Sequence, residues 1–147
     1  MPDICPECGA QLPDGKTCED IFNEFLVLDF TDPGYGEVHT LNVACYMIQH
    51  GRYSDEGLAW IHEKLHRYLQ EGLTNDQFRR LAMSDTDSGE RSWKVVRQTS
   101  DRPLPKIAWT VTIADVAAHS HDAASYQEWM KRWGRATIEE MTTWLAG

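Results

Sequence analysis

Cys5-Pro6-Glu7-Cys8-Gly9-Ala10-Gln11-Leu12-Pro13-Asp14-Gly15-Lys16-Thr17-Cys18 is the stretch from which the rest of the chain can be read. Two cysteines three residues apart on a Gly-terminated turn form half of a tetrahedral metal site, and Cys18 supplies a third corner. Thr17 with Asp20 three positions later is a capping pattern, so the third sulfur stands where a helix starts. A metal held there would tie the N-terminus to whichever element brings the fourth ligand. The chain opens with Met1-Pro2-Asp3, nothing like a secretory signal, so its four cysteines point to reduced thiols on zinc rather than to disulfides. A redox role for Cys5 and Cys8 would need a preceding strand in a βαβ setting, which four residues do not provide.

Downstream, apolar residues recur at helical spacing. Ile21, Phe22, Phe25 and Leu28 make one face of a first helix that starts at Cys18 and breaks at Asp32-Pro33-Gly34-Tyr35-Gly36. His39 to His50 reads as a second helix carrying Val43, Tyr46 and Met47, stopped by Gly51. Ser54 opens a third, with Leu58, Ile61, Leu65, Tyr68 and Leu69 as its core stripe and Gly72 at its end. Thr74 and Gln77 form a capping box for a fourth, carrying Phe78, Leu81 and Ala82. Asp85 to Pro105, with Trp93, Val95 and Val96 in a polar setting, reads as an excursion over the surface. Trp109, Val111 and Ile113 alternate like a strand, yet Thr112 with Asp115 favours a brief helix through Ala118. From Asp122 a long final helix presents Tyr126, Trp129, Met130, Trp133, Thr137, Met141 and Trp144, which is a core stripe.

The expected architecture is therefore predominantly α: one domain over residues 1–147, with five or six helices and an N-terminal zinc knuckle. Within it, 1–18 form the knuckle, 18–84 the first helices, 85–108 the irregular excursion and 109–147 the C-terminal helices. A length of 147 residues with 41% hydrophobic side chains suffices for one core and is short for two. The formal charge of -9 repels phosphate backbones and anionic lipid head groups, which argues against nucleic-acid and membrane partners. No apolar run approaches the roughly 20 residues of a membrane span, so the expected location is cytoplasmic.

Geometry narrows the fourth ligand. His39, Cys45 and His50 all lie on the second helix. Antiparallel pairing of two helices, each about 16 Å long, brings the end of the second beside the start of the first and puts His50 near Cys18. Parallel pairing would bring His39 instead. Connection economy favours His50, giving a ligand set of Cys5, Cys8, Cys18 and His50. Cys45 lies midway along and about 140° around from His50, and reads as a small buried hydrophobe. His39, free of the metal, would stand near Asp32 and Glu37, either fixing the loop before it by hydrogen bonding or lining a small polar site walled by Tyr35.

Cys5-Pro6-x-Cys8-Gly9-Ala10 through Cys18, then Asp32-Pro33-x-Tyr35-Gly36-x-Val38-His39, Val43, Tyr46 and Gln49-His50, resemble an uncharacterised bacterial family catalogued only as a domain of unknown function. Thr112-Ile113-Ala114-Asp115-Val116 and the Trp133 helix resemble its C-terminal half. The likeness implies the Cys-x-x-Cys turn, third Cys and two histidines as a framework, and it implies no activity. Gly51 stands where that family usually has Pro, and several members lack a Cys matching Cys45.

Three thiolates and one imidazole make a closed tetrahedron, the pattern of structural zinc. The function expected is that of a noncatalytic binding or adaptor protein, with a protein or small molecule as partner. The alternative is a small metal-dependent hydrolase, using an opened Cys-rich site or His62-Glu63-Lys64-Leu65-His66, which matches the H-E-x-x-H signature. That match is weakened by Lys64 and Arg67 and by the lack of an obvious third ligand; His62 falls at the margin of its helix stripe, with His66 and Glu63 progressively toward solvent. Asp122 in His119-Ser120-His121-Asp122 reads as an N-cap. Asp85-Thr86-Asp87-Ser88-Gly89 reads as turn chemistry, since it lacks the length and terminal Glu of a calcium loop.

Overall fold

The computed structural model describes residues 3–13, 15–86 and 96–146. Two short antiparallel strands, β1 (Asp3–Ile4) and β2 (Gln11–Leu12), frame the Cys5–Cys8 turn, with Asp3 opposite Leu12 and Ile4 opposite Gln11. Seven helices follow among the described residues: α1 (Cys18–Thr31), α2 (Pro33–Gly36), α3 (His39–Gln49), α4 (Asp55–Glu71), α5 (Asn75–Thr86), α6 (Ile113–His119) and α7 (Ala123–Ala146). The chain is thus predominantly α, as expected. The additional helix is α2, wound from the segment read as a break. Asp32 ends α1 and its carboxylate accepts from the Gly34 N–H at 2.9 Å, while Pro33 occupies the first helical turn with φ already set.

The helix starts form as their sequences require. The Thr17 N–H donates to Asp20 Oδ2 at 2.9 Å and the Asp20 N–H to Thr17 Oγ1 at 3.1 Å, a complete capping box for α1. Thr74 and Gln77 build the same box for α5, at 2.9 and 3.1 Å. Ser54 caps α4, Asp122 caps α7, and Asp115 reaches back to the Thr112 N–H. Ile113 therefore belongs to α6, and the strand reading of Trp109 to Ile113 gives way to the helical one. Gly72 ends α4 at φ 66°, a left-handed conformation that a residue with a Cβ adopts at a cost.

The buried side chains form one contiguous cluster. Helix α7 packs against α3, α4 and α6 and buries Tyr126, Met130, Trp133, Thr137 and Met141. Trp129 stands at its edge, stacked on His119 with ring centroids 3.9 Å apart. Helix α1 packs against α2, α3 and α6, directing Cys18, Ile21, Phe25 and Asp29 inward. Its start lies beside the end of α3 and its end beside the start of α3, which is the antiparallel pairing.

Of the expected excursion, residues 87–95, with Trp93 and Val95, lie outside the described residues. From Val96 onward the segment is anchored. Val96 bridges Tyr53, the Arg97 guanidinium bonds the Tyr53 carbonyl and the Asp55 carboxylate, and the Trp144 indole N–H donates to the Pro105 carbonyl at 2.7 Å.

Two glycines mark close backbone approaches. A Cβ at Gly36 would lie 2.6 Å from the Asp29 carbonyl oxygen, backbone that cannot swing aside, and one at Gly134 would lie 2.8 Å from the Leu41 side chain. Gly36→Ala should therefore cost about 1–3 kcal/mol through forced separation of α1 from α2. Gly72→Ala meets nothing within 4 Å and should cost only the left-handed conformation, about 1 kcal/mol. Urea denaturation of both variants measures the order; a larger loss at Gly72 would contradict this packing.

Candidate metal centre

The knuckle is shaped by its own backbone. The Cys5 N–H donates to the Ala10 carbonyl and the Gly9 N–H to the Cys5 carbonyl, each at 2.9 Å, while Gly9 takes φ 78° to close the turn. Both sulfurs then face the start of α1, where the capping box sets Cys18, and the end of α3, where His50 follows the last helical residue. The ligand atoms of Cys5, Cys8, Cys18 and His50 all lie within 4.8 Å of one another, and all four residues are buried. Cys8 Sγ is 3.6 Å from Cys18 Sγ, and Cys5 Sγ is 3.7 Å from His50 Nε2. A tetrahedral zinc with Zn–S near 2.3 Å and Zn–N near 2.0 Å has edges of about 3.5–3.8 Å. These two separations fit such an ion.

His50 is prepared for this role by its other nitrogen. Nδ1 lies 2.7 Å from the Tyr46 carbonyl, an acceptor only, so Nδ1 carries a proton and Nε2 is the nitrogen turned toward the sulfurs. The imidazole stacks on Tyr46, which stacks on Phe22, fixing the ring plane. From outside, Arg52 makes a two-pronged contact to Glu7 at 3.1 and 3.2 Å, and Lys106 Nζ donates to the Pro6 carbonyl at 2.7 Å.

Within the cluster the groups perturb one another's protonation. The hydrogen bond from Cys18 pulls the Cys8 thiol down to about 4 against desolvation, with His50 adding to the effect. Its partner Cys18 is pushed far up by that same bond and by burial. Burial opposes charge on His50, but the Cys8 hydrogen bond and the Tyr46 carbonyl outweigh it and raise the imidazole to about 9. These shifts favour a thiolate at Cys8 beside a protonated His50, and a bound dication would replace the proton on the imidazole. Cys45 takes no part: it is fully buried, and burial pushes its thiol up to about 12.

His39 occupies the opposite end of α3. Its Nδ1 lies 2.9 Å from Asp29 Oδ2, so it neither joins the sulfurs nor fixes the Asp32-to-Gly36 loop through that nitrogen. The Asp29 side chain is fully buried and also accepts from Asn42 Nδ2 at 3.2 Å and from the Tyr126 hydroxyl at 2.8 Å. Burial and the Asp29 charge hold the Tyr126 phenol well above its usual range. Sequence reasoning passed over Asp29, although its place was legible: Ile21, Phe25 and Asp29 are spaced by four and share the buried face of α1.

Residues 3–142 match a family described as a family of unknown function, DUF5946. The chain belongs to that family. No curated protein and no solved structure matches. The DUF5946 match extends from the knuckle into α7, so the framework of both ends of the α1–α3 pair lies within it.

The H-E-x-x-H motif of this DUF5946 chain sets His62 and His66 side by side one turn apart on α4, with parallel rings whose centroids are 6.4 Å apart. His62 is half-buried, its pKa lowered by desolvation and by His66, while Glu63 and His66 are exposed. Among the described residues, only Cys5, Cys8, Cys18 and His50 gather as a group of three or more potential metal ligands. His119 stacks on Trp129, and Asp122 caps α7 as expected. Asp85 and Thr86 end α5, and the remainder of that acidic stretch lies outside the described residues. The Asp29 network yields a stability prediction. Tyr126→Phe keeps the ring packing but removes one of three donors to a buried carboxylate, and should cost about 1–3 kcal/mol in chemical denaturation; an unchanged midpoint would mean that the hydroxyl does not serve Asp29.

Proposed function

We propose that Cys5, Cys8, Cys18 and His50 hold one zinc ion as a structural centre, and that the protein is a noncatalytic binding or adaptor protein whose fold depends on it. The observation that carries this reading is the convergence of three buried sulfurs and one buried imidazole nitrogen within 4.8 Å. Four protein ligands would fill a tetrahedron and leave no position for water or substrate. Thiolates suit zinc among the abundant divalent metals, and a set of three with one imidazole matches its preferred geometry. Reduced thiols of this kind fit a cytoplasmic setting. The role of the ion is folding: it would join β1, the knuckle, the start of α1 and the end of α3, so its binding free energy becomes folding free energy.

Metal content of protein purified without added metal or chelator, measured by plasma mass spectrometry, tests the reading. One zinc per chain is expected, lost in Cys18→Ser, weakened in His50→Ala and retained in His62→Ala. A strong chelator should lower Tm, by about 2–4 °C for each kcal/mol of binding energy removed. Zinc that depends on His62, or no metal in any preparation, would overturn the proposal.

A further inference from the structure

A cavity of about 690 Å³ opens between α2, the α2–α3 junction, α4, α5 and α7, and Cys5, Cys8, Cys18 and His50 are not among its lining residues. Cavities of about 300–1,000 Å³ are typical of small-molecule sites. Val38, Leu69, Leu73 and the ring of Tyr68 are the apolar part of its lining. The Tyr68 hydroxyl is already engaged, donating to the Glu37 carbonyl at 3.1 Å. The walls are held by side chains that staple neighbouring elements together. Asn75 accepts from the Thr40 hydroxyl at 2.9 Å and donates to the Gly36 carbonyl, and Gln127 Nε2 donates to the Gly34 carbonyl.

The charges around this cavity are segregated. Lys131 and Arg135, one turn apart on α7, line one wall; Glu37 and Asp76 line the cavity from the α2–α3 junction and the start of α5. Among the described residues none of the four makes an ion pair, either with each other or elsewhere. Opposite charges are thus presented to one space without neutralising each other. The amide end of α5 does not serve as an anion site, because Thr74 and Gln77 have closed it with their capping box. Asp76 sits in the first turn of α5, where the helix dipole already answers its charge. Glu37 stands one residue before the N-cap of α3, on the opposite side of Val38 from that helix's first turn.

We propose that this cavity binds a small zwitterion with an apolar body, of the amino-acid class. Its carboxylate lies against Lys131 and Arg135, its ammonium against Glu37, and its apolar part on Leu69, Leu73 and Tyr68. A ligand of this chemistry supplies both missing counter-charges at once, and desolvating them inside a cleft strengthens each contact relative to water.

Titration calorimetry on the full chain tests the assignment, with leucine and phenylalanine as probes and two single-charge analogues, 3-phenylpropanoate and 2-phenylethylamine. Saturable binding of at least one amino acid is expected, with each single-charge analogue weaker by about tenfold, the equivalent of about 1.4 kcal/mol. Lys131→Gln with Arg135→Gln should weaken the amino acid and remove the binding of 3-phenylpropanoate. Glu37→Gln should weaken the amino acid and leave 3-phenylpropanoate unchanged. All these positions are exposed, and circular dichroism with Tm confirms that the variants fold. Neither amino acid saturating, or both binding with indifference to Glu37→Gln, would overturn the proposal; the second result would reduce the cavity to a simple anion groove.

Discussion

The antiparallel pairing of α1 with α3 is the constraint on which the structure depends, because it is pinned by polar chemistry at both ends. At one end Cys18 and His50 meet Cys5 and Cys8; at the other, about 16 Å away along α1, the buried Asp29 carboxylate receives His39 and Asn42 of α3. Apolar packing alone lets a helix slide or turn at modest cost. Two polar contacts at opposite ends leave one register and one orientation, since a shift of a single residue would strand a buried carboxylate at one end and scatter the sulfurs at the other. Tyr126 extends the second pin to α7, so the longest helix of the fold is indexed to the same pair.

The two pins answer buried charge by different means. Asp29 is a buried anion answered by three hydrogen-bond donors, an arrangement that avoids the desolvation cost of an uncompensated charge. The cysteine cluster sets the Cys8 thiol, whose titration is pulled down, against the His50 imidazole, whose titration is raised, so charge at one is answered by charge at the other. Glu7 with Arg52, and Lys106 at Pro6, hold the knuckle loop from outside and couple it to the α3–α4 connection and to the segment before α6. The knuckle is thereby attached to the body of the protein at several independent points.

Much of this was legible in the sequence, for physical reasons. The capping pairs Thr17–Asp20, Thr74–Gln77 and Thr112–Asp115 are local, so they marked the starts of α1, α5 and α6 without knowledge of the fold. The choice of His50 over His39 followed from helix length and connection length, and the separations at His50 agree with it. What escaped was non-local or masked by turn composition. Gly and Pro dominate α2 and give it the composition of a break, yet Asp32 and Pro33 make a helical turn cheaper there than an open loop. Asp29 is not legible as a site because a carboxylate on an apolar stripe looks like an interruption until its donors arrive from α3 and α7. The Glu7–Arg52 and Lys106–Pro6 contacts join residues far apart in the chain and carry no local signal.

As a metal centre, the sulfur cluster would clamp the two helices together. X-ray absorption at the zinc edge of the purified protein tests this most directly. Three sulfur scatterers near 2.3 Å and one nitrogen near 2.0 Å, with no further light-atom ligand, is the predicted shell. Coordination by nitrogen and oxygen with no sulfur would place the metal elsewhere and contradict the account.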